Sequence, residues 1–249
     1  MSLKDNKKVY FGNKKVTQLE KEEGVQQIFS KVAKNYDLMN DIMSLGMHRL
    51  WKRIFVQKAG LEKNSLVLDL AAGTGDITKI ILDESRTSKV VLCDQNAEMV
   101  AKAKDRAVNE GFINNVTFEI ASAEKLPFKN NQFNKIFISF GFRNFSNKEQ
   151  SLRELLRVLK PKGTLNILEF SKVKNEVLSK VYDIYSKTLI PKIGNFISND
   201  AGSYQYLVDS IDTHEDQEGL KFMIENSGFR DVSYENLFDG IVSIHIGKK

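Results

Sequence analysis

LVLDLAAGTGD, residues 66–76, is the stretch on which the reading of this chain turns. Leu66, Val67, Leu68 and Leu70 surround Asp69 without a polar face, as a strand covered on both sides requires. Gly73 and Gly75 follow directly. Glycines at a strand-to-helix bend let the backbone turn sharply and let a ligand approach it closely. Asp76–Glu84 then reads as a helix. The dinucleotide fingerprint calls for a third glycine three residues after Gly75, but Thr78 stands there, which disfavours a pyrophosphate-binding turn.

Downstream the same alternation repeats. Lys89–Asp94 (KVVLCD) reads as a strand, and Ala97, Val100, Ala103 and Ala107 mark a helix stopped by Gly111. Val116–Ile120 and Phe133–Ser139 are further strands. A Leu152/Leu155/Leu156/Leu159 helical face ends before Pro161, and Thr164–Phe170 is a fifth strand. A helix over Glu215–Asn226 and two late strands, 230–237 and 240–246, suit an antiparallel edge. This pattern predicts an α/β fold with a mostly parallel, seven-stranded sheet carrying helices on both faces. Upstream, Val25–Tyr36 and Leu50–Val56 read as two helices joined by a polar loop through Asn40, Asp41 and Gly46. A stretch from about 174 to 212, rich in Tyr and Ile, reads as a helical cap insertion.

The 249 residues suit one large domain, assigned to 22–249, with residues 1–21 a flexible basic arm of six lysines and two acids. Cys93 is the only cysteine, so no intrachain disulfide forms. His48, His214 and His245 lack metal-ligand spacing, and no metal is expected. A net charge of +5 is weak evidence for nucleic acid. Neither a secretory signal nor a membrane span is visible, so the expected address is cytoplasmic.

A turn of this kind fits a nucleoside without a phosphate, and S-adenosylmethionine is the expected cofactor. Asp69 suits its methionyl end, beside Gly73, Thr74 and Gly75. Asp94, at the tip of the second strand, suits the ribose diol because a carboxylate accepts two hydrogen bonds. ASAEKLPF, residues 121–128, can wrap an adenine edge through the backbone of Ser122 and Ala123. Ser139, closing the fourth strand, can reach the methionyl moiety. These offsets together predict a Rossmann-like class I methyltransferase fold.

Four further segments narrow the expectation. YDLMNDIMSLGMHRLWK (36–52), SFGFRNF (139–145), RVLKPKGTLNILEFS (157–171) and NDAGSYQYLVDSIDTHEDQEGLKFMIENSGF (199–229) resemble the UbiE/MenG/Coq5 family of quinone-biosynthesis C-methyltransferases. By that resemblance Thr74, Asp94, Ser122, Ala123 and Ser139 fall on the family's cofactor positions. The implied substrates are a polyprenylated methoxy-benzoquinol of ubiquinone synthesis and demethylmenaquinol. One departure is visible: Lys162 replaces the first glycine of the family's Lys-Pro-Gly-Gly turn.

The sulfonium methyl is already electrophilic, so the protein must align a ring carbon with it and exclude water. A cation beside the ring hydroxyl, or a base, raises the carbon's nucleophilicity. Arg143 and His214 are the candidates. Asp200, Tyr204 and Tyr206 are candidates for lining the substrate pocket. Met39, Ile42, Met43 and Leu45, with Ile184, Leu189, Ile190 and Ile197, are candidates for an apolar tail channel. Expected partners are the prenylated quinol, a quinone-biosynthesis complex and a second copy as homodimer, with peripheral contact to the inner membrane at most and no nucleic acid. The alternatives are a methyltransferase for another small molecule or RNA, and a non-catalytic scaffold of that complex. SFGFRN stands where many base-amine methyltransferases carry an Asn/Asp-Pro-Pro-aromatic segment, which weighs against the RNA alternative.

Overall fold

The computed structural model describes residues 8–33, 36–175 and 201–249. Seven strands form one sheet: β3 (Leu66–Leu70), β4 (Lys89–Asp94), β5 (Val116–Ile120), β6 (Phe133–Ser139), β7 (Leu159–Phe170), β8 (Arg230–Leu237) and β9 (Val242–Lys248). Their spatial order is β5-β4-β3-β6-β7-β9-β8. The first five are mutually parallel, and β9 runs antiparallel to both β7 and β8. The order reverses between β3 and β6, which opens a crevice at the carboxyl ends of these two strands.

Side-chain alternation sorts the core into two layers. Val67 and Phe137 join Phe55 on one face, and Leu68, Leu70, Ile136 and Ile138 join Leu152 and Leu155 on the other. Both faces are covered, the first partly by α3 (His48–Lys58) and α4 (Asp76–Glu84), the second by α6 (Lys148–Val158) and α8 (Gln217–Asn226). Between β4 and β5 runs α5 (Ala97–Asn109), capped by the Asn96 side chain on the amides of Glu98 and Met99. The expected Rossmann-like architecture is therefore present.

The N-terminal region departs from the sequence reading. Residues 8–17 are not a flexible arm: β1 (Lys8–Phe11) and β2 (Lys14–Thr17) pair as a hairpin. Thr17 and Glu20 then form a reciprocal capping box that opens α1 (Gln18–Val32). The Phe11 ring lies so close over Gly24 that a Cβ there would meet it at 2.6 Å. The expected polar loop at 40–46 is mostly α2 (Tyr36–Ser44), whose Met39 is buried. Leu45 and Gly46, both with positive φ, then turn the chain into α3.

At the other end, β7 starts at Leu159 rather than Thr164, because a register shift against β6 absorbs the Pro161 region. Lys162 takes the left-handed backbone there, φ 65°, which glycine adopts without strain. The tail of the expected cap is α7 (Ala201–Asp212). Asp200, Ile184, Leu189, Ile190, Ile197 and the Met43 side chain lie outside the described residues. No described helix is long and apolar enough to cross a membrane.

Candidate functional site

The crevice is built by the ends of β3, β4 and β6. Ala71 and Phe140, just past β3 and β6, both sit in the left-handed region, at φ 53° and 57°. The two turns nearly touch: a Cβ on Gly141 would lie 2.6 Å from that of Ala71. Both strand ends therefore hold strained backbone that the surrounding structure must keep in place. Gly75, at φ 85°, caps α4, and a side chain there would crowd Leu92 at 3.0 Å.

Two carboxylates hold this turn. Asp69, fully buried in β3, accepts from the Thr78 amide at 2.9 Å and the Thr78 hydroxyl at 2.7 Å, both at Oδ2. Its other oxygen has no partner. Burial pushes the Asp69 carboxyl up to about 7, against the pull of the Thr78 bonds and the Lys52 charge. Asp94 accepts from the Gly73 amide and from the Asn96 amide, each at 2.8 Å. Burial also raises Asp94, opposed by these backbone bonds. With the Gln95 amide also bonded to it, the carboxylate keeps an acceptor site for a further donor.

Of the eight expected cofactor residues, Asp69, Gly73, Thr74, Gly75 and Asp94 thus lie in or beside one turn. Ser139 closes the adjoining strand β6. Ala123 lines a cavity of about 80 Å³ beside the turn, together with Ala71, Gln95, Ala121, Phe140 and Gly141. The Ser122 hydroxyl is engaged with Glu124. Glu124 in turn accepts from the Ser146 amide and hydroxyl and the Asn147 amide, which ties the adenine-side loop to the loop after β6.

Three buried polar atoms at this turn have no partner: Asp69 Oδ1, Thr74 Oγ1 and Ser139 Oγ. Buried polar groups are normally paired, so their clustering signals a missing polar ligand. The donor set fits a sulfonium nucleoside: carboxylates for an ammonium and a diol, hydroxyls for an amino-acid tail, and small apolar residues for a base. Glu22, Val25 and Phe29 of α1 line the cavity beside the turn.

The sequence carries no signal for the place of α1, Gln95 and Phe140 beside the turn. The bonds from α1 to the loop after β6 span 122 to 124 residues and leave no local signal. Thr78, which occupies the third-glycine position of the dinucleotide fingerprint, fixes Asp69 through both its amide and its hydroxyl.

Arg143 sits in the turn after β6, nearly buried. Its Nη1 pairs with Glu169 at 2.7 Å and donates to the Phe140 carbonyl at 2.6 Å, while Nε donates to Ser210. The guanidinium also lies 5.5 Å from the Phe170 ring. It is therefore an internally neutralised cation, not a surface arginine. It borders a second, small cavity of about 20 Å³ with Met39, His48, Phe140, Phe170 and Leu207.

His214 is buried 2.8 Å from Glu215 and 3.3 Å from Lys148 through Nδ1, leaving Nε2 without a partner. Burial lowers its pKa. It does not cap α8; Asp216 does, by accepting from the Gly219 amide. The Tyr206 hydroxyl donates to Asn144 at 3.0 Å, and Tyr204 is core, its hydroxyl unpartnered. Arg143, Tyr206 and His214 share a third cavity, of about 240 Å³; Tyr204 does not line it.

Fold and turn together define an S-adenosylmethionine-dependent methyltransferase of the Rossmann-like class. Solved structures agree on the fold: a SAM-dependent methyltransferase of Aquifex aeolicus superposes with a TM-score of 0.59 at 20% identity, covering 84% of this chain and 97% of that one. One of Thermotoga maritima gives 0.64 at 15% identity, covering 90% and 99%. The chain belongs to the ubiE/COQ5 methyltransferase family, whose model matches residues 16–249. Curated relatives named ubiquinone/menaquinone biosynthesis C-methyltransferase UbiE are similar over nearly the whole length. That of Hydrogenovibrio crunogenus is 48% identical, covering 98% of this chain and 96% of the relative, and that of Shewanella pealeana 45%, covering both fully.

Proposed function

We propose that this protein transfers the methyl group of S-adenosylmethionine to a ring carbon of a polyprenylated quinol in ubiquinone or menaquinone biosynthesis. The observation that carries the reading is the trio of unpartnered buried atoms, Asp69 Oδ1, Thr74 Oγ1 and Ser139 Oγ, around the glycine turn of a chain so similar to such enzymes. The bound cofactor supplies an electrophilic methyl on a sulfonium. Asp69 and Ser139 face its amino-acid end, Asp94 its ribose, and Ala121 to Ala123 its base. Phe140, shared by the crevice and the small cavity beyond, separates the donor side from the acceptor side.

On the acceptor side Arg143 is the residue that faces a developing phenolate. Glu169 holds the guanidinium plane, so the donors are fixed before the ring arrives. His214 lies in the neighbouring polar cavity and is the weaker candidate. Tyr206, through Asn144, positions the same loop. Exposed Leu38, Leu45 and Leu50 around the α2–α3 turn support peripheral contact with the membrane that holds a prenyl tail. A quinone-pathway complex and a second copy of this chain are the protein partners to look for.

The test supplies the chain to cells lacking their own quinone C-methylase, with the Asp94→Ala variant as control. Extracted quinones should regain the ring methyl with the wild type and not with the variant. Soluble protein that restores neither ubiquinone nor menaquinone would overturn the assignment.

A further inference from the structure

Gly75 occupies the left-handed region at φ 85° and leaves the first turn of α4 without a side-chain cap. The leading amides of a helix have no acceptors within it. Asp69 takes up one of them from the neighbouring strand: its Oδ2 accepts from the amide of Thr78, the third residue of α4. Most residues at position 78 would supply that amide. What the threonine side chain adds is its hydroxyl, which donates to the same oxygen at 2.7 Å. Thr78 is wholly buried, so this bond is shielded from solvent.

The surroundings of Asp69 mostly oppose its charge. Burial disfavours the carboxylate, and Asp94 of β4 adds a second negative group. Cys93, next to Asp94, is held as the neutral thiol. On the other side of β3 the register partner is Phe137 of β6, which brings no charge. The cation that acts on Asp69 is Lys52 of α3. Lys52 is itself bonded to Asp76 of α4, which also binds Arg106 of α5. The two Thr78 donors are therefore the direct support of the Asp69 charge. Both meet Oδ2, and Oδ1 is left without a partner.

We propose that the Thr78 hydroxyl is a positioning and specificity-determining group: it holds Asp69 as a carboxylate with Oδ1 open, so that the turn selects a ligand ending in an ammonium. The inference rests on the cofactor reading above and adds a residue that does not itself touch the cofactor. A glycine at position 78, as in the dinucleotide fingerprint, would keep the amide bond and lose the hydroxyl. A buried carboxylate at this turn repels a pyrophosphate but pairs with the ammonium of S-adenosylmethionine. Thr78 thus favours a cationic tail for the same reason that it disfavours a phosphate.

In the wild type, burial raises the Asp69 pKa to about 7, against the Thr78 bonds. Thr78→Val has the same shape and keeps the amide but removes the hydroxyl. Loss of one charge-assisted bond should raise the proton affinity of the carboxyl about tenfold. Below pH 7 a tail that needs the carboxylate must then displace a more tightly held proton, whereas near pH 9 both proteins are already ionised. S-adenosylhomocysteine, which keeps the amino-acid tail, is the probe, measured by calorimetry on the full chain. Its Kd should rise about ninefold in Thr78→Val at pH 6 and less than about twofold at pH 9. Taking the ratio of the two proteins at each pH removes the ligand's own titration. 5′-Methylthioadenosine, which has the base and ribose but no tail, should bind both alike, and Thr78→Ser should bind S-adenosylhomocysteine as the wild type does. A penalty equal at pH 6 and pH 9, a Thr78→Ser as weak as Thr78→Val, or an equal loss of 5′-methylthioadenosine overturns the inference and leaves the cofactor reading standing. A wild type that binds neither ligand overturns both. If thermal melts show that Thr78→Val does not fold, Thr78→Ala removes the same hydroxyl and meets the same expectations.

Discussion

Replacing Asp69 by Asn separates the demands of folding from those of cofactor binding. The wild-type carboxyl is fully buried with a folded-state pKa of about 7, against 3.8 for an ordinary aspartate. Because the folded value is the higher one, the fold prefers the protonated acid. Below about pH 4 that preference costs nothing, since the group is neutral in both states. As pH rises from 4 to 7 the unfolded chain ionises and the folded one resists, so stability is lost progressively and stays lost above pH 7. Three pKa units correspond to about 4 kcal/mol. An amide never ionises, and its oxygen still accepts from Thr78, whose two bonds converge on one Asp69 oxygen. Its NH₂ replaces an acid O–H that is equally unpartnered in the ligand-free protein.

Asp69→Asn should therefore match the wild type at pH 4 and exceed it by up to about 4 kcal/mol at pH 8. For a chain of this size that is on the order of 10 °C in melting temperature. Cofactor affinity should move the opposite way. Loss of a charge-assisted bond to the ammonium costs about 1.5–3 kcal/mol, roughly ten- to a hundredfold in Kd at pH 8. Thermal melts across pH 4–8, with and without S-adenosylmethionine, read both effects. A variant less stable than wild type at pH 8, or a stability difference that does not grow with pH, would refute the reasoning. Unchanged cofactor affinity would show that the free oxygen faces something other than the ligand.

Gly75→Ala places a Cβ on a residue at φ 85° and 3.0 Å from Leu92, so denaturant unfolding should show a loss of about 1–2 kcal/mol, and calorimetry a weaker cofactor. Glu169→Ala leaves the buried Arg143 without its counter-ion and should destabilise by about 3–5 kcal/mol, measured as a shift in the urea midpoint; a shift under 1 kcal/mol would mean that Arg143 finds another anion.

What the sequence made legible was what neighbours in the chain determine. The strand–turn–helix at 66–84 was readable because the apolar run, Gly73 and Gly75 are contiguous, and the five parallel strands follow from repetition of strand and crossover. Asp94 was readable because one strand–helix–strand unit fixes its distance from the turn, and its bond to the Gly73 amide is the physical form of that spacing. Residues 8–21 were misread because lysine richness outweighed a smaller local signal, the Thr17-x-x-Glu20 capping box. Arg143 lies in the turn after β6, and its neutralisation by Glu169 of β7 depends on strand order and leaves no trace in either segment.

Lys21 shows the limit most sharply. Its carbonyl partners lie 122 and 124 residues away, so from sequence it is one basic residue among several in a polar arm. Burial of that lysine is decided by where α1 docks, and α1 docks over the sheet's switch point. Lys21 and Glu22, adjacent on α1, both bind the loop that follows β6, one through its carbonyls and the other through Ser146. Residues of this one helix line both cavities, Lys21 the larger and Glu22, Val25 and Phe29 the smaller. Whatever opens one space must therefore strain the contacts that line the other.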